Sequence, residues 1–231
     1  MKVKIYISLF LITLTCLIPA QAQVGEQRHN FSLGINGGVN LNNVSFSPSV
    51  QQNFLMGITG GITARYISEK YFKMICGAQI EVNFSQHGWS EAYKDYPQVG
   101  YTRTMNYVEI PFLAHLAFGK ERGFQFFIHA GPQIGLWLSD SHTIKGDWET
   151  LANSTNIVTE QHDKPVDNTF DYGIAGGAGV EVRTKAGNFI VEGRYYYALS
   201  DFYGSTKKDF FARSAHGAIT AKITYLFDIT K

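Results

Sequence analysis

Cysteine is nearly absent from this 231-residue chain, which contains only Cys16 and Cys76. Because Cys16 lies in an apolar segment at the start of the chain, we expect no internal disulfide in the rest of the protein. The formal net charge is only +1 and no basic run is present, so the sequence gives no reason to expect nucleic-acid binding. Beyond the start, no stretch approaches the roughly 18 consecutive apolar residues of a membrane-spanning helix, so a membrane protein with this sequence would have to be a β-barrel.

Catalytic motifs are also missing. The chain has no G-x-S-x-G or H-E-x-x-H motif, and the single remaining cysteine excludes a cysteine-based zinc site, so we expect no metal and no cofactor. A Ser/His/Asp hydrolase or acyltransferase could be drawn from polar residues of one segment, namely Ser139, Asp140, Ser141, His142, His162 and Asp163. Polar loops contain such residues by default, and we interpret the protein as a non-enzyme.

The first 22 residues predict a signal peptide. Lys2 and Lys4 precede an apolar run from Ile5 to Ile18, and Ala20-Gln21-Ala22 has the small-x-small pattern of a cleavage site. The domain that folds would then be residues 23–231. A lipoprotein anchored at Cys16 is the weaker alternative, because Thr15 stands where a smaller residue is expected.

Alternation of apolar and polar residues is the dominant pattern in the rest of the chain, and it predicts strands rather than helices. Between Phe124 and Ser139, for example, one face is apolar and the other is polar or small. The pattern recurs in segments long enough to cross a bilayer, which takes about 9 to 11 residues per tilted strand. The eight segments are Phe31–Leu41, Met56–Ile67, Tyr71–His87, Met105–Phe118, Phe124–Ser139, Thr169–Arg183, Phe189–Leu199 and His216–Phe227.

The connections between these segments alternate strictly between short and long. Three are short: Ser68–Lys70, Gly119–Gly123 and Thr184–Asn188. Four are long and polar: Asn42–Leu55, Gly88–Thr104, Asp140–Asn168 and Ser200–Ala215. Outer-membrane barrels have tight periplasmic turns and longer external loops, and they have an even number of strands. The sequence therefore predicts an all-β, eight-stranded antiparallel up-and-down transmembrane β-barrel in the cell outer membrane.

Aromatic residues cluster at the short-turn ends of the apolar faces, as expected where hydrocarbon gives way to headgroups. This predicted aromatic girdle consists of Phe31, Tyr66, Phe72, Phe118, Phe124, Phe189 and Phe227. A soluble lipocalin-like barrel, with its apolar face turned inward, is the alternative.

An eight-stranded barrel is narrow enough for its own side chains to fill. The predicted lumen network is Arg65, Lys73, Glu81, Glu109, His115, His129, Glu181, Glu192, Arg194 and Lys222. We expect Glu81, Glu109 and Glu192 to pair with Arg194, Arg65, Lys73 or Lys222, since charges shielded from water need partners. An ion path or active site built from the same groups is the functional alternative.

Glycine and proline within the strands need their own explanation. The glycine-rich stretch 173–179 resembles a phosphate-binding loop, but no helix follows it, so we interpret these glycines as positions of tight curvature or as room for bulky inward neighbours. Pro111 and Pro132 each predict a bulge or a position near a rim.

With its segments laid out, the chain resembles the PorT-like outer-membrane β-barrel family of Bacteroidetes. Three stretches carry the resemblance: FSLGINGGVNL at 31–41, NYVEIPFL at 106–113 and AGPQIG at 130–135. The resemblance implies a barrel fold and, for some members, a link to protein secretion and gliding, and it implies no catalytic residues. The chain departs from the pattern by continuing for four residues after Phe227.

We therefore expect a monomeric barrel in outer-membrane lipid, with a structural or interaction role through four external loops. Its partners would be envelope or extracellular proteins, contacted through loop aromatics such as Trp89, Tyr93, Tyr96, Trp148 and Phe211. A narrow channel or small-solute porin and a lipid-modifying enzyme remain as alternatives.

Overall fold

The computed structural model describes residues 25–93, 96–120, 122–146 and 157–230. The proposed signal peptide, residues 1–22, lies outside this part of the chain. The strands are β1 (Glu26–Ser47), β2 (Gln52–Asn53), β3 (Leu55–Tyr71), β4 (Met74–Glu91), β5 (Gly100–Gly119), β6 (Gly123–Lys145), β7 (Phe170–Arg183), β8 (Asn188–Ala198) and β9 (Arg213–Asp228). None of the described residues belongs to a helix of the length and hydropathy needed to span a membrane.

The eight long strands close into a ring. Each pairs antiparallel with the next along the chain, and β1 pairs with β9 to complete the circle. The short strand β2 lies outside the ring and pairs with the outer end of β4, where Gln52 lies opposite Glu91. The predicted eight-stranded up-and-down antiparallel barrel is confirmed.

The strands extend further at the long-loop end than the alternation predicted. β1 continues to Ser47, opposite Arg213, and β6 continues to Lys145, opposite Gly100. At the opposite end, the first tight turn lies at Phe72 and Lys73 rather than at the predicted Ser68–Lys70. Phe72 adopts a φ of +53°, as a two-residue hairpin turn requires.

The apolar face of each strand points outward. Val191 and Phe126 are 55% and 50% exposed, whereas Glu81 on the inward face is 1% exposed. This orientation contradicts the lipocalin-like alternative, because a soluble barrel would turn these apolar side chains toward its centre.

The prediction of a bulge or a rim position for Pro111 and Pro132 was wrong. Both lie in the middle of their strands, and the register of β5 with β4 and with β6 is the same on either side of Pro111. The ladder loses a few backbone pairs there instead of gaining a residue, since proline lacks the N–H that a pair needs. The bulge of this strand pair lies further out, between Asn106 and Tyr107.

The glycine-rich face of β7 makes room for large side chains from β6. A Cβ on Gly177 would lie 2.7 Å from His129 Nε2, and one on Gly179 would lie 2.6 Å from Phe127 Cζ. For Gly177 and Gly179, the interpretation as room for bulky inward neighbours is confirmed.

Candidate functional site: the filled lumen and its external cap

A cluster of charged side chains fills the middle of the lumen. Glu81 on β4 accepts hydrogen bonds from Arg194 Nη1 and Nη2 at 3.0 and 2.7 Å, and from Lys222 Nζ at 2.7 Å. Arg194 also donates to Glu192 at 2.7 Å. Gln79 and Asn83 donate to the two Glu81 oxygens at 2.6 and 2.8 Å, so this buried carboxylate has five donors. We call Glu81, Glu192, Arg194 and Lys222 the central ion cluster.

A second buried ion pair lies nearer the short-turn end. Arg65 Nη1 donates to Glu181 Oε2, and Arg65 Nε donates to Gln79 Oε1 at 3.0 Å. Because Gln79 also donates to Glu81, the pair is connected to the central ion cluster. Arg65 was expected to pair with Glu81, Glu109 or Glu192, and this was wrong because β7 places Glu181 within its reach.

Glu109 was expected to pair with a lysine or arginine, and this too was wrong. His87 Nε2 lies 2.7 Å from Glu109 Oε1, and Gln133 Nε2 donates to the same oxygen at 2.8 Å. The pairing register puts Glu109 beyond Glu81 toward the long-loop end, where histidine, tyrosine and glutamine line the lumen.

Lys73 was predicted to lie in the lumen and does not. It lies in the β3–β4 turn and is exposed, because the turn falls later in the chain than the sequence indicated. The structure places the other nine predicted residues inside the barrel, each less than 9% exposed. His115 and His129 both pack on Phe127, with ring centroids 5.0 and 5.4 Å apart, and His129 Nε2 is 3.6 Å from Glu192 Oε2.

Little free space remains among these side chains. The cavity beside the central ion cluster has a volume of only about 10 Å³. It is lined by residues that include His87, Glu109, Arg194 and Lys222. A space of this size holds at most about one water molecule.

An aromatic cluster closes the long-loop end of the barrel, and we call it the external cap. Its members are Val44, Phe46, Val50, Trp89, Tyr101, Met105, Tyr107, Phe202, Tyr203 and Phe211. Trp89 and Phe211, which we expected to be exposed for contact with partners, are 0% exposed, and Tyr93 is 7% exposed. That expectation was wrong, because the strands extend further at the long-loop end than predicted and enclose these rings. Tyr96 is half-buried, and Trp148 lies outside the described residues.

Glu91 is a buried carboxylate that ties two external loops together. It accepts hydrogen bonds from Trp89 Nε1, Tyr93 OH and Gln161 Nε2 at 3.0, 2.9 and 2.8 Å. His162 Nε2 lies 2.8 Å from Oε2, the oxygen that also accepts from Tyr93. Burial and the Glu91 carboxylate raise the pKa of Tyr93, so its hydroxyl remains a donor.

Arg103 also links external loops to one another, through a positively charged side chain. Its Nε donates to Asp140 Oδ2 at 2.7 Å, and its Nη1 donates to Tyr203 OH at 2.8 Å and to the Lys164 carbonyl at 2.6 Å. Burial raises the pKa of Tyr203. Glu91 and Arg103 therefore fix the second, third and fourth external loops against one another.

The residues of the hypothetical Ser/His/Asp site do not form one. His142 Nε2 lies 2.9 Å from Asp163 Oδ1, and the His142 ring stacks on Tyr101. Ser139, however, faces outward, where it accepts a hydrogen bond from Asn106 at 3.0 Å. Ser139 and His142, the nucleophile and the histidine of that site, therefore lie on opposite faces of β6. The Asp140 carboxylate accepts a hydrogen bond from Arg103 instead. The described residues contain no group of three or more metal-ligating side chains.

The predicted girdle residues lie on the outer surface at the short-turn end. Phe124, Phe189 and Phe227 are 60%, 50% and 53% exposed. Tyr66 and Phe118 are also exposed, and Phe31 is half-buried. Phe72 is 84% exposed at the tip of the β3–β4 turn, so it lies beyond the strand end where we had placed it.

A family model described as "Outer membrane protein beta-barrel domain" matches residues 21–204. The chain belongs to this family. The protein is therefore an integral outer-membrane β-barrel, located in the cell outer membrane as the sequence predicted. No curated protein matches the chain significantly.

Solved structures of small outer-membrane barrels are similar to this family member. Ail of Yersinia pestis, crystallised with the heparin analogue sucrose octasulfate, is 13% identical, with 87% of this chain and 100% of Ail covered and a TM-score of 0.39. Neisserial surface protein A is 12% identical, with coverages of 84% and 97% and a TM-score of 0.41. OprG of Pseudomonas aeruginosa is 9% identical, with coverages of 87% and 95% and a TM-score of 0.46.

Sequence reasoning missed several polar residues that this outer-membrane barrel buries. His87, Glu91, Arg103 and His216 were left out of the predicted network, yet each is less than 9% exposed. His87 and His216 are end residues of two predicted strands, whereas Glu91 and Arg103 continue the inward parity of their strands into a segment that we had assigned to a loop. Following the two-residue period past the predicted strand ends would have found Glu91 and Arg103.

Proposed function

We propose that this outer-membrane barrel is a closed anchor that displays the external cap and its loops to envelope or extracellular proteins, and that it transports no solute. The filled lumen supports this proposal. The central ion cluster occupies the middle of the barrel, the external cap covers one end, and an apolar layer of Ile67, Ile75, Ala117, Phe127, Ile190 and Leu226 lies toward the other.

A conductance measurement distinguishes a closed anchor from a narrow channel or porin. Purified barrel in planar bilayers should give no current steps above background, because a path through the lumen would have to displace buried, mutually paired charges. Regular ohmic steps from wild-type protein would refute the closed-anchor proposal.

The interaction role depends on the outer surface of the cap. A photo-crosslinking side chain at Lys207, exposed on the fourth external loop, should capture a partner on intact cells, and the product should vanish after external protease treatment. The same side chain at Ile62, on the lipid-facing surface, is the matched control and should give no protein product. Equal capture at both positions would contradict a loop-specific role.

We also propose that the protein is not an enzyme. The separation of Ser139 from His142 across β6 supports this, as does the use of Asp140 and Glu91 within the cap. Outer-membrane lipids incubated with the barrel should keep their mass spectrum. A modified lipid that disappears with His142→Ala would contradict the proposal and favour the lipid-modifying alternative.

The resemblance to PorT-like barrels supports a narrower assignment, to a member of that group that contributes to secretion or envelope function as a monomer. The motifs at 31–41, 106–113 and 130–135 carry this assignment. Deletion of the gene should then reduce the amount of secreted protein in the culture medium. An unchanged set of secreted proteins would contradict it.

A further inference from the structure

A recess of about 330 Å³ opens at the short-turn end of the barrel, which in outer-membrane barrels faces the periplasm. Its lining combines residues from the short-turn ends of β1, β3, β4, β7, β8 and β9 with residues of the two later turns. Five cationic residues contribute to the lining: Arg28, Lys70, Arg122, Arg183 and Lys185. Among the lining residues that the structure describes, Asp228 is the one acidic residue.

The Asp228 carboxylate does not balance this charge. Its Oδ1 accepts hydrogen bonds from Ser32 Oγ and Asn188 Nδ2, both at 2.8 Å, and Arg183 Nη2 is 3.9 Å away. Arg28 pairs at 2.9 Å with Glu26, which is not part of the lining. Arg183 Nε also lies 3.6 Å from Glu181 Oε1, so Arg28 and Arg183 both have carboxylate partners. Among the described residues, the excess positive charge of the recess lies on Arg122 and Lys185.

Arg122 and Lys185 contribute charge that the fold itself does not use. Both are exposed on tight turns, and neither forms an ion pair within 4 Å among the residues that the structure describes. Like charges gathered around one recess repel each other, and a bound anion would relieve that repulsion. Guanidinium groups also match the planar oxygens of carboxylates and phosphates.

The recess is a dead end rather than the entrance of a pore. Ile67 and Ile75 line its inner wall and belong to the apolar layer that also contains Leu226, all three at most 5% exposed. A ligand that enters from the periplasm would stop at this layer. The volume falls at the lower end of the range of small-ligand pockets, roughly 300–1,000 Å³.

We propose that this recess binds a periplasmic ligand that carries clustered oxyanions, either carboxylates or phosphates. The site lies at the opposite end of the barrel from the external cap, so it adds a second interaction surface to the closed-anchor proposal. Each of the two proposals can be refuted without the other, because binding in this recess does not depend on conductance or on the external loops.

Two probes and two matched double variants test the site. Barrel in nanodiscs is titrated with fluorescent hexaglutamate, and inorganic tripolyphosphate is titrated by calorimetry. Arg122→Gln/Lys185→Gln should weaken binding about tenfold at low salt, as expected for the loss of two charge contacts. Lys207→Gln/Lys208→Gln removes the same charge from an external loop and should leave binding unchanged. Gel mobility without heating checks that both variants are folded.

The probes also identify the source of the oxyanion. Binding of hexaglutamate alone assigns the recess to acidic peptides, and binding of tripolyphosphate alone assigns it to phosphates. Binding of neither probe, or equal weakening by both double variants, would overturn the proposal.

Discussion

Replacement of Glu81 by glutamine tests whether the central ion cluster holds the barrel together. The substitution keeps the size of the side chain and removes one negative charge at a position that is 1% exposed. Arg194 and Lys222 would then lose the carboxylate to which they donate at 2.7–3.0 Å, and Glu192 would remain as the nearest anion of the cluster.

The expected cost follows from burial. Breaking a buried ion pair by removing one partner costs about 3–5 kcal/mol, because the remaining charge stays out of water without compensation. Glu26→Gln, which removes an exposed carboxylate from its pair with Arg28, should cost less than about 1 kcal/mol. The difference between these two variants measures the effect of the lumen environment.

Urea unfolding of the barrel in lipid vesicles, followed by tryptophan fluorescence, measures both free energies of unfolding. Glu81→Gln/Lys222→Met removes one charge of each sign, so it should recover part of the loss from Glu81→Gln alone. If Glu81→Gln matches Glu26→Gln, or if the Glu81 and Lys222 effects simply add, the central ion cluster is not a coupled unit.

Two further predictions concern the barrel wall. Gly34→Ala should destabilise the barrel by about 1–3 kcal/mol in the same unfolding assay, because the new Cβ would overlap the Tyr225 carbonyl. Gly193→Ala is the matched control and should be neutral, because nothing lies within 4 Å of its Cβ position. Ile62→Arg, on the lipid face at 62% exposure, should cost about 2–4 kcal/mol in lipid vesicles, and Phe72→Arg at the turn tip should cost about 0–1 kcal/mol. Equal losses within either pair would refute the corresponding reasoning.

The barrel fold could be predicted from the sequence, because the alternation of apolar and polar residues shows which face of each strand contacts lipid. Ile62 and Arg65 differ in parity along β3, and the structure puts the first outside and the second inside. Outward apolar residues and inward charges are needed in every strand of a filled transmembrane barrel, so the pattern recurs eight times.

The pairing of individual side chains could not be predicted in the same way. Whether Arg65 reaches Glu181 or Glu81 depends on the stagger of strands that are distant in sequence, and alternation carries no information about stagger. The external cap was misread for a related reason. Trp89 has the inward parity of β4 but lies just past the predicted end of that strand. Phe211 lies in the fourth external loop, and nothing in its local sequence shows that the neighbouring strands continue outward around it.

The seam between β1 and β9 has a consequence for assembly. Ser32 lies opposite Asp228, so the first long strand finds its second neighbour only when nearly the entire chain is in place. Until then, the backbone N–H and C=O groups along one side of β1 are an open edge that hydrocarbon cannot satisfy and that another polypeptide could pair with. The machinery that inserts this protein into the membrane must therefore keep that edge from pairing with other chains until β8 and β9 have formed.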